Sequence, residues 1–374
     1  MAHLDQHDGT TAAAGTGAPA TPAGTSGGRG GRPHAPGTRT FAAVTAIALG
    51  CVALTACGGG GTSKNADGTT TVTIGIAGNI FDVPIKLAEA NGYFSKQGIK
   101  VKYVTLTAST GASALESGSV QFLNDSPTDF LSAVDKKIPE TAIAADGGGN
   151  PLGLIVSTKF AKAHGLTADT PAAQVAKALD GSTGGSSSAN TKGEASVYLK
   201  AYGVDAGKVK WVSLPSPAAD KAALKSNQID WFVTSQPSPL EIQDSGDGVV
   251  VADSIKVPAW SSAQAGYGQF VVGRNSYLSQ HADIAGKVAT AVQQATAYMN
   301  AHLDSATVQT VAQKALPGVP AAVIKTALPQ VEWPKSGEMT DGEWTKTLAF
   351  INSLGALTKQ AQVSSDDWTN KYLK

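Results

Sequence analysis

From residue 71 onward, short β-branched runs alternate with stretches of helical periodicity. Thr71 to Ala77 (TVTIGIA) reads as a buried strand ending at Gly78-Asn79. Asp82 is placed to cap a helix carrying Pro84, Leu87 and Ala88, which stops at Asn91-Gly92. Ile99 to Leu106 is the second strand, Ser109 or Thr110 caps the next helix, and Val120 to Leu123 is the third strand. Glu140 to Ala145 makes a fourth, and the turn Asp146-Gly-Gly-Gly-Asn150 leads into a long apolar run, Leu152 to Ser157. Then come a helix from Pro171 to Leu179, a small-residue loop from Gly181 to Asn190, and a helix opened by the capping-box spacing of Thr191 and Glu194. Val209 to Leu214, Ile229 to Val233, Val249 to Val251 and Tyr267 to Val272 are further strands, with a helix from Pro217 to Ser226 among them. Beyond Ser276 the pattern is helical, with Ile284, Val288, Val292 and Ala295 on one face and Trp344, Leu348 and Ile351 on another.

Part of this pattern occurs twice. Ala114 to Pro127 (ALESGSVQFLNDSP) aligns with Ala223 onward (ALKSNQIDWFVTSQP), pairing Leu115 with Leu224, Val120 with Ile229, Phe122 with Trp231 and Ser126 with Ser235. Each copy is a helix end, a turn, a short strand and a Ser/Pro loop opening another helix. Two copies about 110 residues apart indicate two similar lobes, since solenoid repeats recur every 20–50 residues or so. The expected fold class is therefore α/β, with residues 71–156 and 266–374 in lobe 1 and 157–265 in lobe 2. Leu152 to Ser157 and Tyr267 to Val272 are the expected crossings between them. Ligands of open α/β sheets bind at the C-terminal ends of the strands, so a cleft between the lobes is where a site belongs. Phe122 and Trp231 lie mid-strand and read as core.

Composition narrows the function. The 29 basic and 29 acidic residues cancel, so no bulk charge draws the chain to nucleic acid. The two cysteines, Cys51 and Cys57, both precede the strand pattern, which leaves no disulfide, thiolate cluster or Cys nucleophile in the body. Residues 1–40 are rich in Gly, Ala, Thr and Pro and read as a disordered extension. Arg29, Arg32 and Arg39 precede the apolar run Phe41 to Leu54, the layout of a secretory signal. That run ends in Leu54-Thr55-Ala56-Cys57-Gly58, which resembles the lipobox of bacterial lipoproteins and implies lipidation of Cys57. Residues 58–70 read as a flexible tether.

A second resemblance covers more of the chain. Pro84, Leu87, Ala88, Gly92, Phe94, Gly98, Ile99 and Val101, followed by Ala114, Leu115, Ser117, Gly118 and Val120, resemble the substrate-binding proteins of bacterial ABC importers for nitrate, sulfonates, taurine and thiamine-pyrimidine precursors. The resemblance implies a type II periplasmic-binding-protein-like fold and a monomer tethered by its lipid to the extracytoplasmic face of the membrane. It also implies a small-molecule solute, an ABC permease with its ATPase as partner, and no cofactor. A small anion of the sulfonate, nitrate or taurine kind is the first expectation for the solute, and a thiamine-precursor pyrimidine or other heteroaromatic the alternative.

Such a protein needs a cleft of polar groups rather than a nucleophile with a base. Asn79, Ser109, Thr110, Ser126, Thr128, Ser187, Asn190, Thr191 and Ser235 supply hydroxyls and amides in the expected loops, several at helix N-termini that favour anions. Each is also a residue type that caps helices, so the reading rests on their joint placement. Phe81, Trp260 and Tyr267 would stack on a flat ligand or pack the core. Within the loops the lone cation is Lys192, beside Thr191. His164, His281 and His302 have no metal-ligand spacing, and no nucleophile elbow or phosphate loop is present, so no catalytic or metal residue is expected. An extracytoplasmic hydrolase or an adhesive lipoprotein is the alternative from another class.

Overall fold

The computed structural model describes residues 63–374. The expected extension, signal segment and lipobox with Cys57 lie outside the described residues. The first sheet contains β1 (Ser63–Lys64), β2 (Thr70–Ile76), β3 (Ile99–Thr105), β4 (Phe122–Asp125) and β5 (Glu140–Gly148). The second contains β6 (Leu152–Ser157), β7 (Thr183–Ser186), β8 (Lys210–Ser213), β9 (Trp231–Ser235) and β10 (Gly248–Asp253). β11 (Tyr267–Arg274) then rejoins the first.

Both sheets have one topology. The first runs β3-β2-β4-β11-β5, with β1 added antiparallel to β2; the second runs β8-β7-β9-β6-β10. In each, the first three strands are parallel and the last two run antiparallel to their neighbours. The repeated strands β4 and β9 take the same central place, so the repetition in sequence is a repetition of architecture. The second sheet needs close approaches to form. A Cβ on Gly184 would lie 2.9 Å from the Trp231 ring, and one on Gly185 would lie 2.5 Å from Ile229. That explains a strand built from Thr-Gly-Gly-Ser, a sequence with little strand propensity of its own.

Three boundaries differ from the sequence reading. β6 belongs wholly to the second sheet, between β9 and β10, and β11 wholly to the first, between β4 and β5. The chain instead changes sheets at Gly149–Pro151 and between residues 254 and 266. A buried apolar run satisfies its backbone best inside a sheet, which is why both runs pair along their length rather than bridging. Residues 63–70 of the expected tether form a hairpin with β2, held by Asn65 Nδ2 donating to Thr69 Oγ1 at 2.8 Å and Thr71 Oγ1 at 3.0 Å.

The two crossings bind each other. Gly149 N–H donates to the Gly266 carbonyl at 2.8 Å, and Asn150 N–H donates to the Trp260 carbonyl at 2.8 Å. The helix Asp341–Leu354 packs over this junction, touching both the Ser262–Ala265 helix and the Ala189–Ala201 helix. Trp344, on that helix, stacks on Phe270 at 4.8 Å and contacts Phe130 and Tyr267 at 5.9 and 5.3 Å. Such aromatic pairs add about 0.5–1.5 kcal/mol each beyond area burial and fix the wall on which Tyr267 sits.

Candidate functional site

The C-terminal ends of both sheets bring two helix N-termini together. The helix Pro127–Asp135 follows β4 and is capped by Ser126, whose hydroxyl accepts from Asp129 N–H at 3.2 Å and donates to Asp129 Oδ2 at 2.8 Å. The Ala189–Ala201 helix follows β7 and opens with a capping box of Ser188 and Thr191, each backbone N–H donating to the other's hydroxyl at 3.1 Å. Between them is a cavity of about 350 Å³. The first-sheet half contributes Asn79, Phe81, Ser126, Thr128 and Asp129. Ser188, Asn190, Glu194 and Ser235 come from the second, Asn150 from a crossing, and Tyr267 and Gln269 from β11.

Local bonding sets these side chains. Asp82 accepts from the N–H groups of Gly78 and Asn79 at 2.6 and 3.0 Å and from Asn124 Nδ2 at 3.1 Å, which folds the loop after β2 back on itself. Asn79 Oδ1 in turn accepts from Phe81 N–H at 2.9 Å. The Phe81 ring lies over Gly147 and Gly268, where any Cβ would strike it, and meets Trp333 edge-on at 6.3 Å. Thr128 Oγ1 donates to Asn190 Oδ1 at 3.2 Å, joining lining residues of the two halves. Asn190 Nδ2 and Asn150 Nδ2 then both donate to Glu194 Oε1 at 2.8 Å.

The cavity's electrostatics are acidic. Burial pushes Glu194 up to about 7 against the opposing pull of the two amides, and burial also raises Asp129 despite its bond to Ser126. Behind the Pro127 helix, Asp125 and Glu140 are raised by burial and by repulsion from Asp129, Glu140 to about 8. Among the described residues, none of those lining the cavity is Lys, Arg or His. Lys192 is exposed, with its ammonium 5.3 Å from the Trp211 ring.

Of the residues singled out from sequence, Asn79, Phe81, Ser126, Thr128, Asn190, Ser235 and Tyr267 line this cavity. Thr110 is outside its lining, bonded to Thr107 in the capping box that opens the Ala108–Ser117 helix. The side chain of Ser109 is outside the described residues. Ser187 is outside the lining, and Thr191 completes the Ser188 cap. Trp260 is 0% exposed, packs 5.4 Å from the Tyr198 ring and donates Nε1–H to the Glu194 carbonyl at 3.2 Å, so it supports the site from behind. Glu194, expected as the capping partner of Thr191, is freed for the cavity because the cap forms three residues earlier, at Ser188. Asp129, Asn150 and Gln269 had no signal beyond polarity, for they sit inside a helix, a crossing and a strand where polar residues are ordinary.

Comparison with known proteins places this architecture. The sequence profile described as NMT1/THI5 like matches residues 82–306, more than half of the chain. The chain belongs to the NMT1/THI5-like family. Solved structures share the periplasmic binding protein fold. The periplasmic aliphatic sulphonate binding protein SsuA from Escherichia coli is 15% identical, with a TM-score of 0.61 over 78% of this chain and 89% of that one. The periplasmic nitrate-binding protein NrtA from Synechocystis PCC 6803 is 18% identical, with a TM-score of 0.54 over 68% and 69%. The desulfurization enzyme DSZB is 14% identical, with a TM-score of 0.56 over 78% and 94%. At these identities the likeness is one of fold, and family membership rests on the profile. No curated protein matches the sequence.

Proposed function

We propose that this protein is the extracytoplasmic solute-binding component of an ABC importer, which captures a small solute in the cleft and delivers it to a permease driven by its ATPase. The observation that carries this reading is the cavity lined from both sheets, in a fold shared with sulphonate- and nitrate-binding proteins. DSZB shows that an enzyme can use the same fold, so fold alone does not separate binder from catalyst. The lining holds carboxylates, with Ser126 already donating to Asp129, so a test of turnover is what separates the two.

The neighbours' names favour an anion of the sulfonate, nitrate or taurine kind, which here would depend on the two helix N-termini and neutral donors. The acidic lining favours the other class, a nitrogen-bearing heterocycle such as a thiamine-precursor pyrimidine, against the Phe81 and Tyr267 rings. Attachment through lipid on Cys57 completes the reading; Cys57→Ser is expected to abolish metabolic lipid labelling, and persistent labelling would refute it.

Thermal shift against solutes of both classes tests capture, because a ligand at 100 times its Kd stabilises the protein by about 2.7 kcal/mol. Recovery of the bound solute unchanged supports a binder. Turnover would make the protein an enzyme.

A further inference from the structure

Asp129 and Glu194 reach one cavity from opposite halves of the molecule. Glu194 is only 4% exposed, and the bonds from Asn150 and Asn190 both fall on Oε1, leaving Oε2 without a hydrogen bond. Gln269, 2% exposed on β11, lines the same cavity, and its side-chain amide makes no hydrogen bond. Buried polar groups are ordinarily paired, so an open carboxylate oxygen and an open amide facing one cavity mark places where a ligand's polar atoms belong.

The sign of those atoms follows from the charges. Burial raises both acids, and an anion beside them, with no Lys, Arg or His among the described lining residues, would meet like charge or force them to stay protonated, whereas a cation would draw both to the charged form. We propose that the cleft selects a small solute bearing a protonated nitrogen, a primary amine or an amidinium, whose N–H groups are taken by Glu194 Oε2, the Asp129 carboxylate and the Gln269 side-chain oxygen. This rests on the solute-capture reading above. The rest of the solute meets an apolar wall of Phe81, Tyr267, Phe350 and Ile351, and the aromatic faces add cation–π attraction. The volume, about 350 Å³, is at the small end of ligand pockets, which run from roughly 300 to 1,000 Å³, so the solute is compact.

Matched pairs differing in charge test this on the full chain in detergent: butylamine with butyrate, benzamidine with benzoate, and taurine with ethanesulfonate. Calorimetric titration should show the nitrogen-bearing member of each pair binding at least tenfold more tightly. Glu194→Gln keeps an oxygen for Asn150 and Asn190 and removes the buried acid, so the unliganded melting temperature at neutral pH should hold or rise while amine affinity falls at least tenfold; Asp129→Asn should weaken amine binding independently. Acids binding as tightly as their amines, or amine affinity unmoved by Glu194→Gln, would overturn the charge assignment while leaving solute capture standing. If no member of any pair binds, capture of solutes of this size falls too.

Discussion

Single residues at the junction of the halves have little freedom. Gly266 has φ +69°, and a Cβ there would lie 2.3 Å from Thr347 Oγ1 and 2.8 Å from the Glu343 carbonyl. Gly266→Ala therefore combines a left-handed backbone with a clash, and a loss of about 2–3 kcal/mol in chemical denaturation is expected. A second residue-scale prediction concerns protons. Asp146 is 0% exposed with both oxygens unpaired, and burial raises its pKa, as it raises Glu140 to about 8 and Glu194 to about 7. These acids hold protons when folded that the unfolded chain has already released, so their effect is most favourable below about pH 4 and is lost as pH rises through the folded values. Glu194 alone should account for about 3 kcal/mol between pH 4.5 and 8. Urea midpoints measured from pH 5 to 8 should fall, and Asp146→Asn should make the slope shallower; a flat profile in the parent protein would show these groups ionised in the fold.

At the scale of elements, much was legible because the signals are local. Alternating apolar residues and Gly/Asn turns mark β2, β3, β4 and β9 in the sequence, and the repeat identified the two strands that hold equivalent places. That β6 and β11 are paired strands and not crossings was not legible, because an apolar run shows that a strand is buried but not which neighbours bury it. The start of the Ala189–Ala201 helix was misplaced for a related reason: Ser186, Ser187, Ser188 and Thr191 are all competent caps, and packing of the helix decides among them. That shift hid Glu194. The aligned serines of the repeat now have different expected phenotypes. Ser126 caps a helix and bonds Asp129, so Ser126→Ala should cost about 1 kcal/mol of stability and also weaken solute binding. Ser235 is exposed at the cavity wall, so Ser235→Ala should leave the denaturation midpoint unchanged and cost about 0.5–1.5 kcal/mol of binding alone. A Ser235→Ala variant with full affinity would remove the second repeat loop from the site.

For the whole molecule, the arrangement of crossings bears on how a solute enters. Two segments, Gly149–Pro151 and residues 254–266, connect the sheets, and they hydrogen-bond to each other rather than spreading over the interface. A pair of adjacent crossings permits rotation of one half against the other through a few dihedrals while each sheet keeps its packing, the geometry of hinge closure. The Thr128–Asn190 bond joins the halves and links through Asn190 to Glu194, so contacts that a solute makes with Glu194 bear directly on the group that joins them. Solute should accordingly favour a closed arrangement already present in the unliganded ensemble, with an apparent affinity lowered by the fraction of molecules that are open. Thr128→Val removes the spanning hydroxyl and should shift that ensemble toward open, weakening binding mainly through the closing step. Small-angle scattering of the Cys57→Ser chain should show a smaller radius of gyration with saturating solute, and a larger unliganded radius for Thr128→Val than for its parent. An unchanged radius on solute addition, with binding independently confirmed, would identify a rigid pocket and leave the crossings without a mechanical role.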